Sequence, residues 1–334
     1  MRLISSARTA ARDCALALAL ALAGTLLAAT GAAHAQTWPE RPIKFVMTAP
    51  AGSSIDVLGR AIADKLGPRL GQPVVVENKP AAGGTVATGE VAHATPDGYT
   101  MLLGYNGPLS FTPLLQKLPY DVQKDLAPVI TTTSQPNVLA VSATLPVNTL
   151  AELVAYAKAN PGKLSYASVG NGSSSHLNME LFKQMAGIDV VHIPFNGSPP
   201  AVMSTIQGET QMLFAVMQPL QAQIKAGKLK ALAVSTAKPF PLLPGIPSIA
   251  ESGYPGFEAL AWNGVMVPAG TPKAVIDRLN REINAIFREP DVIEKMNSQG
   301  FALVGGTPEQ FGKLVSDEAA RWTPVIRKVG LKVD

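Results

Sequence analysis

Residues 168–182 read SVGNGSSSHLNMELF, in which a short apolar run enters a glycine-flanked turn that opens onto a helical pattern. Two other stretches have the same form, TAPAGSSID at 48–56 and PFNGSPPA at 194–201. Glycine permits the turn and lets a ligand approach the backbone, whereas serine and asparagine can cap the helix that follows. The recurring order of strand, small-residue loop and helix predicts an α/β fold.

Working outward from these loops, apolar β-branched runs alternate along the chain with segments of helical spacing. Strands are predicted at 43–50, 73–78, 99–105, 137–143, 163–170, 189–195, 210–217, 229–236 and 263–269. Helices are predicted at 54–66, 150–158, 174–185, 198–207, 271–288 and 307–322. Runs as apolar as these are typical of strands that are buried on both faces, so we expect mostly parallel sheets.

The number of strands and the length of 334 residues favour two lobes, each with its own sheet. The chain is expected to cross between the lobes twice, within the proline-containing segments 134–148 and 239–261. The predicted first lobe comprises 36–138 plus 261–334, and the predicted second lobe comprises 139–260. Two crossings beside one cleft are the architecture of hinged binding proteins.

Residues 1–35 have the pattern of a secretory signal peptide. Arginines precede a nearly unbroken run of alanine and leucine from Ala15 to Ala29, and Ala33-His34-Ala35 precedes the expected cleavage site. The apolar run has about 15 residues, fewer than the roughly 20 that span a bilayer. Cys14, the single cysteine, would leave with this segment. We therefore expect a periplasmic protein without disulfide bonds.

Charge and motif content exclude several classes of function. Without residues 1–35 the chain keeps 25 of its 28 basic and 23 of its 24 acidic residues, a balance of +2 that does not indicate nucleic-acid or membrane binding. His93, His176 and His192 fall in no metal-binding pattern, so neither a metal nor a cofactor is predicted. GNG at 170–172 lacks the third glycine of a dinucleotide loop, and no GK[ST] ending follows it.

The three loops instead predict an anion site. Free N–H groups at a helix start point outward, and the helix dipole adds partial positive charge there. In open α/β sheets, ligands bind beyond the carboxyl ends of the strands, which is where these loops must lie. Any single loop could be an ordinary capped turn, but three in one chain favour a site. Asp56 lies at the first helix start. Its role there is either structural or functional, and in the functional case its partner is an ammonium or hydroxyl group of the ligand.

A second hypothesis is a hydrolase that uses Ser175. The G-x-S-x-G nucleophile motif is absent from this loop. Adjacent residues of a helix point about 100° apart, which places Ser175 and His176 poorly as a nucleophile and its base. We therefore predict a binding protein without catalytic residues.

At these loops the sequence resembles the Bug-type solute receptors, the periplasmic binding proteins of tripartite tricarboxylate transporters. The resemblance begins with WPERPIKFVMTAPAGSSIDVLGRAIADKLG at 38–67, VVVENKPAAGGTVATGEVAHATPDGYTML at 74–102 and LPYDVQKDLAPV at 118–129. It continues with KLSYASVGNGSSSHLNMELF at 163–182, HIPFNGSPPAVMSTIQGE at 192–209, IKAGKLKALAVST at 224–236 and GVMVPAGTP at 264–272. It covers essentially the whole chain after the signal peptide.

This resemblance implies a two-lobed periplasmic binding protein of type II, the Venus-flytrap class, which we expect to be a monomer. It implies a small carboxylate ligand and an integral membrane permease as the partner that receives it. A sensor subunit for a signalling kinase would share the same binding physics. The residues carried over by position as ligand-binding are Ala51, Gly52, Ser53, Asp56, Gly172, Ser173, Ser174, His176, Asn196 and Gly197.

Two departures from the family pattern add four predicted site residues. The segment GYNGPLSFTP at 104–113 places Tyr105 and Asn106 near the cleft. After the strand at 210–217 the chain reads AVMQP, with Met217 and Gln218 where family members often carry an acidic or amide residue. The lack of an acidic residue there disfavours an amino-acid ligand and leaves room for a more apolar or aromatic carboxylate.

Overall fold

The computed structural model describes residues 38–329, so the predicted signal peptide lies outside the described residues. The described chain contains two sheets with helices packed around them. The strands are β1 Ile43–Met47, β2 Val74–Asn78, β3 Thr100–Tyr105, β4 Leu126–Pro136, β5 Val138–Ser142, β6 Ser165–Ser168, β7 Val191–Pro194, β8 Met212–Ala215, β9 Leu229–Val234, β10 Leu260–Pro268 and β11 Leu303–Gly305.

The helices confirm the six sequence predictions to within a few residues, except that the last one continues past its predicted end. The described α-helices, which include five that were not predicted, are α1 Ser54–Leu70, α2 Thr85–Ala92, α3 Thr112–Leu115, α4 Val122–Asp125, α5 Leu150–Ala159, α6 Ser174–Ala186, α7 Ser198–Gln207, α8 Met217–Lys225, α9 Lys273–Ile286, α10 Pro290–Ser298 and α11 Pro308–Val329. Pro324 lies within α11, which continues through it to Val329. No described helix is long and apolar enough to cross a bilayer.

The first sheet has the strand order β11-β4-β10-β3-β1-β2, and the second has the order β7-β6-β8-β5-β9. Both sheets are mixed. β1 pairs in parallel with β2 and β3, and β6 pairs in parallel with β7 and β8, whereas the other described strand pairs are antiparallel. Parallel pairing is therefore less extensive than the sequence predicted. The antiparallel pairs arise where a strand enters or leaves a lobe, a long-range feature that local patterning does not encode.

β4 is a strand that the sequence analysis missed. Its sequence LAPVITTTSQP contains two prolines and a run of polar residues, so it does not have the apolar pattern of a buried strand. The structure buries Thr131, Thr132 and Thr133 nonetheless, because β4 lies between β10 and β11. Oγ1 of Thr133 accepts a hydrogen bond from Nδ2 of Asn263 at 2.7 Å, which satisfies both polar groups inside the sheet.

The chain segments that join the two sheets are held together by hydrogen bonds. Asn137 is the single residue between β4 of the first sheet and β5 of the second. Its N–H donates to Oγ of Ser235 at 2.9 Å, and the N–H of Ser235 donates to the carbonyl of Asn137, also at 2.9 Å. Oγ of Ser235 in turn donates to the carbonyl of Ala259 at 2.6 Å. Ser235, which is fully buried, thus ties the outgoing segment to the returning one.

The last helix also contacts both lobes. Phe311 and Val315, near the start of α11, pack into the core beneath the first sheet. Trp322 and Ile326, near its end, pack with Leu177 of α6, which belongs to the second lobe. This contact and the connecting segments hold the carboxyl ends of the parallel strands of one sheet next to those of the other.

Candidate functional site

A cavity lies between the lobes at the ends of β1, β3, β6 and β8, and it encloses about 680 Å³ of atom-free space, its mouth included. All three predicted loops contribute to it. Its wall is formed by Thr48, Ala49, Pro50, Ser53, Ser54, Ile55, Pro80, Gly83, Tyr105, Asn106, Asn137, Val169, Ser174, Ser175, Gly197, Ser198, Ala215, Val216, Ala261, Trp262 and Asn263.

The first loop is shaped by Ser53 and Asp56. Oγ of Ser53 caps α1 by accepting from the N–H of Asp56 at 3.3 Å. The Asp56 carboxylate accepts from the N–H of Gly52 at 2.9 Å, from Nε of Arg60 at 2.9 Å and from Nδ2 of Asn78 at 3.0 Å. Burial alone would raise the pKa of Asp56, but these hydrogen bonds outweigh it and hold the pKa below its usual value. Asp56 is thus an ionised residue whose partners lie in the loop, in α1 and in β2, and none of these partners lines the cavity.

The second loop repeats this geometry with different residues. Oγ of Ser173 caps α6 by accepting from the N–H of His176 at 3.3 Å. Nδ1 of His176 accepts from the N–H of Gly172 at 3.1 Å, which places the proton of the neutral ring on Nε2. Gly52 and Gly172 both adopt left-handed conformations, with φ of 77° and 71°. In each loop, the residue four positions after the glycine accepts the glycine's N–H.

The N–H groups of Gly52, Asp56, Gly172 and His176 thus have acceptors. The main-chain N–H groups that remain free are the first two of α1 and the first two of α6. Ser54 and Ile55 begin α1, and Ser174 and Ser175 begin α6, positions at which no acceptor exists within a helix. All four residues line the cavity. Ser198 begins α7 and lines it as well, whereas the two prolines that follow carry no N–H. Three helix starts from two lobes therefore present N–H groups and partial positive charge to one cavity.

No residue lining this cavity, within the described part of the chain, carries a formal charge. The wall is instead made of main-chain amides, neutral polar side chains and apolar groups such as Ile55, Val169 and Val216. Tyr105 stays un-ionised, because burial first and the neighbouring Tyr120 second raise its pKa. Its hydroxyl donates to the carbonyl of Gly83 at 2.8 Å. An anion bound here would be held by hydrogen bonds and dipoles without a counter-charge.

Four lining side chains bring buried polar atoms that have no protein partner among residues 38–329. The atoms are Oδ1 of Asn106, Nδ2 of Asn137, Oγ of Ser198 and Nε1 of Trp262. The four side chains belong to residues that are at most 6 % exposed. Buried polar atoms are nearly always paired in folded proteins, so four unpaired ones around a cavity indicate that a ligand or ordered water completes them.

His176 is one end of a stack of three rings. It lies over His192 with ring centroids 4.1 Å apart, and His192 lies over Tyr166 at 4.8 Å. Nε2 of His192 is 2.7 Å from Oγ of Ser168. Burial first and Lys183 second lower the pKa of His176 to about 4. Burial and then His176 lower the pKa of His192 to about 3, against an opposing effect of Glu180. Both rings are therefore neutral at pH 7.

The geometry at Ser175 does not form a nucleophile and base pair. Its Oγ accepts from the N–H of Val169 at 2.9 Å and lies 2.9 Å from Oγ of Ser173. The nitrogens of His176 and His192 that form hydrogen bonds contact the Gly172 amide and the Ser168 hydroxyl instead. No group of three potential metal ligands occurs within residues 38–329.

The structure brings some of the predicted site residues to the cavity and places the others outside its wall. Ser53, Tyr105, Asn106, Ser174 and Gly197 line the wall. The others lie outside the wall, and they are Ala51, Gly52, Asp56, Gly172, Ser173, His176, Asn196, Met217 and Gln218. Among them, Asp56, Ser173 and His176 hold the loops in shape through the hydrogen bonds described above.

Met217 and Gln218 lie at the start of α8. Met217 is buried in the core of the second lobe and approaches Gly300, where a Cβ would lie 2.9 Å from the Cβ of Met217. Oε1 of Gln218 is buried without a partner but is not part of the cavity wall. The departure from the family pattern at these positions therefore does not change the surface that faces a ligand in this structure.

The wall formed by Asn137, Ala261, Trp262 and Asn263 was not predicted from the sequence. These residues lie where the chain crosses between the sheets, on the connection after β4 and on β10. The predicted crossings were the available signal, because residues at a crossing must lie at the back of an interlobe cleft. Trp262 has the apolar pattern of a core residue and does pack edge-on against Phe311, with centroids 5.7 Å apart.

Glycines allow the two lobes to approach each other around the cavity. A Cβ on Gly197 of the third loop would lie 2.6 Å from the ring of Pro50 in the first loop. A Cβ on Gly172 would lie 2.9 Å from Oγ1 of Thr112. Any larger residue at these positions would hold the lobes apart, so the glycines have a role at the interlobe contact beyond permitting a turn.

Two mixed sheets, two crossings and an amide-lined cavity between the lobes define a two-lobed solute-binding protein. Residues 58–331 match the family model described as the tripartite tricarboxylate transporter family receptor, and the chain belongs to that family. Protein BugT of Bordetella pertussis is 38% identical over 319 residues, which cover 94% of this chain and 98% of the relative.

Solved structures agree with this assignment. The chain resembles Rpa4515 of R. palustris, solved with adipate, with a TM-score of 0.86 and 34% identity over 88% of this chain and 99% of that one. It also resembles MatC of Rhodopseudomonas palustris, solved with bound malate, with a TM-score of 0.83 and 30% identity over 86% of this chain and 100% of that one. The family resemblance and the two-lobed α/β fold expected from the sequence are thereby confirmed.

Proposed function

We propose that this protein binds one small organic carboxylate in the interlobe cavity and delivers it, unchanged, to an integral membrane permease. One observation carries the proposal: free first-turn amides of α1 and α6 meet at an uncharged cavity together with the start of α7. A hydrogen bond to a charged group contributes about 1.5–3 kcal/mol, so four or five of them can support micromolar binding after desolvation and ordering costs. The adipate and malate held by similar proteins support a carboxylate as ligand.

The ligand class is tested by measuring thermal stability against a panel of mono-, di- and tricarboxylates, including aromatic acids. A ligand at a hundredfold excess over its Kd stabilises the folded state by about 2.7 kcal/mol. Titration calorimetry of the best stabiliser should give one site per chain, and the ligand should be recovered unaltered after denaturation. Turnover, or covalent labelling of Ser175, would support the hydrolase hypothesis instead.

The site of action proposed here is the periplasm, with residues 1–35 removed. Sequencing the amino terminus of the protein from a periplasmic extract should give Gln36 as its first residue. Delivery is tested by reconstituting the permease in vesicles and adding the loaded protein, which we expect to act as a monomer. Uptake that does not depend on this protein would contradict delivery and leave a signalling role as the alternative.

A further inference from the structure

The rear wall of the cavity lies at the crossing between the lobes. Asn137 directly follows Pro136, which pairs with Leu260, the first residue of β10. Nδ2 of Asn106 donates to the carbonyl of Leu260 at 2.9 Å. Trp262 follows two residues later on the same strand. Asn106, Asn137 and Trp262 therefore belong to one small region of the wall, formed by segments other than the three helix starts.

This rear wall contains one unsatisfied acceptor and two unsatisfied donors, namely Oδ1 of Asn106, Nδ2 of Asn137 and Nε1 of Trp262. The three residues are 0%, 2% and 1% exposed, so bulk water does not satisfy them. The orientation of the Asn106 amide is determined by its bond to the Leu260 carbonyl, because only Nδ2 can donate to a carbonyl. Oδ1 of Asn106 is thus left without a donor among residues 38–329.

We infer that the ligand is a monoanion whose second polar end is an uncharged carboxamide, and that Asn106 determines this specificity. This inference rests on the proposed function, in which the carboxylate lies at the helix starts. A carboxamide oxygen accepts from Asn137 and Trp262, while its NH₂ group donates to Oδ1 of Asn106. A second carboxylate accepts the same two donors but leaves Oδ1 of Asn106 facing a negatively charged oxygen.

The charge of the wall supports the same ligand. Each helix start provides about half a positive charge, and the described lining residues carry no formal charge, so one carboxylate is better compensated than two. An ammonium group could donate to Asn106, but no acidic side chain lines the cavity to balance it. The inferred end group is therefore polar, neutral and able both to donate and to accept.

The inference is tested by titrating the wild-type protein at pH 7 with matched pairs of diacid and monoamide. The pairs are succinate with succinamate, glutarate with glutaramate, and adipate with adipamate, which sample three chain lengths. At the length that binds best, the monoamide should bind at least about tenfold more tightly than the diacid, because a site that hydrogen-bonds a group discriminates against analogues that lack it.

Two variants assign the discrimination to Asn106. Asn106→Leu should bring the ratio of the two dissociation constants close to one. Asn160→Leu is the matched control, since the Asn160 amide also donates to a main-chain carbonyl, that of Tyr156 at 3.0 Å, but lies outside the cavity wall. The control should keep the wild-type ratio.

A diacid that binds as tightly as its monoamide at all three lengths would overturn the inference, and this arm needs no variant. A ratio that survives in Asn106→Leu would overturn the role of Asn106. Failure of the proposed function has a different signature: no acid of the carboxylate panel would stabilise the protein at all, and the inference would fall with it.

Discussion

The main-chain N–H of Gly172 donates to Nδ1 of His176, four residues further along the chain, at 3.1 Å. The N–H of Gly52 makes the equivalent bond to Oδ2 of Asp56 at 2.9 Å. A neutral imidazole in one lobe and a carboxylate in the other thus perform the same task. Each accepts a hydrogen bond from the glycine N–H, which would otherwise compete with the free helix amides for a ligand. Each also fixes the loop so that the helix amides face the cavity.

Asp56 is expected to act on binding by positioning the loop. Asp56→Ala removes the acceptor for Gly52, Arg60 and Asn78, so the first loop loses its shape. Ligand binding should weaken by about 1–3 kcal/mol, which corresponds to roughly 5- to 150-fold in Kd. Titration calorimetry measures the change. Asp64→Ala, an exposed position of the same helix, is the control and should leave Kd unchanged. Equal affinity in the two variants would contradict the positioning role.

Gly197 is expected to permit the close approach of the two lobes. In Gly197→Ala the added Cβ would lie 2.6 Å from Cδ and Cγ of Pro50, so the closed arrangement is blocked. Affinity should fall at least about tenfold, and small-angle scattering should show a more extended molecule with ligand present.

The control for this experiment is Gly187→Ala. Gly187 also has a positive φ, of 62°, but a Cβ there meets nothing within 4 Å. It should lose roughly 1 kcal/mol of stability through backbone strain and keep its affinity. If both variants lose affinity equally, strain rather than interlobe contact explains the effect.

The stability of the protein should fall as the pH drops below about 6.5. In the unfolded chain His176 and His192 titrate near 6.5, whereas in the folded protein their pKa values are about 4 and about 3. Between these values the unfolded chain binds more protons, so the free energy of unfolding decreases by about 1.4 kcal/mol per pH unit for each histidine. The charged groups near the pair are Glu180 and Lys183.

Denaturant unfolding between pH 4 and pH 8 measures this dependence. His192→Phe keeps a ring in the stack but removes one titrating group, so its stability should depend less steeply on pH than that of the wild type. Parallel profiles for the two proteins would show that the histidine pair is not responsible.

Ligand affinity should be independent of pH between about 6 and 9. No titratable side chain other than Tyr105 lines the cavity within residues 38–329, and burial raises the pKa of Tyr105. Affinity should fall only below the pKa of the ligand carboxyl group, by about tenfold per pH unit, because the neutral acid loses its attraction to the helix starts. Titrations at constant ionic strength test this. A midpoint between pH 6 and 8 would point to a protein group that contacts the ligand.

The sequence by itself determined the features that depend on neighbours a few residues apart. Nine of the eleven described strands, the starts of α1, α6 and α7 and the capping serines Ser53 and Ser173 follow from local patterns, because a cap needs only the helix that it begins. Local reasoning selected Asp56 and the family resemblance added His176, but neither could distinguish a residue that supports a loop from one that faces a ligand. That difference depends on the direction in which each side chain finds its partner.

The tertiary structure decided the rest. β4 became a strand despite its polar sequence because two other strands flank it, and the sheets became mixed because the chain crosses between them. Asn137 and Trp262 reached the cavity wall through pairings between segments more than a hundred residues apart, such as Pro136 with Leu260. A binding cavity is a meeting of distant segments, so its wall depends on the complete fold, whereas the loops that enter it depend only on local hydrogen bonds.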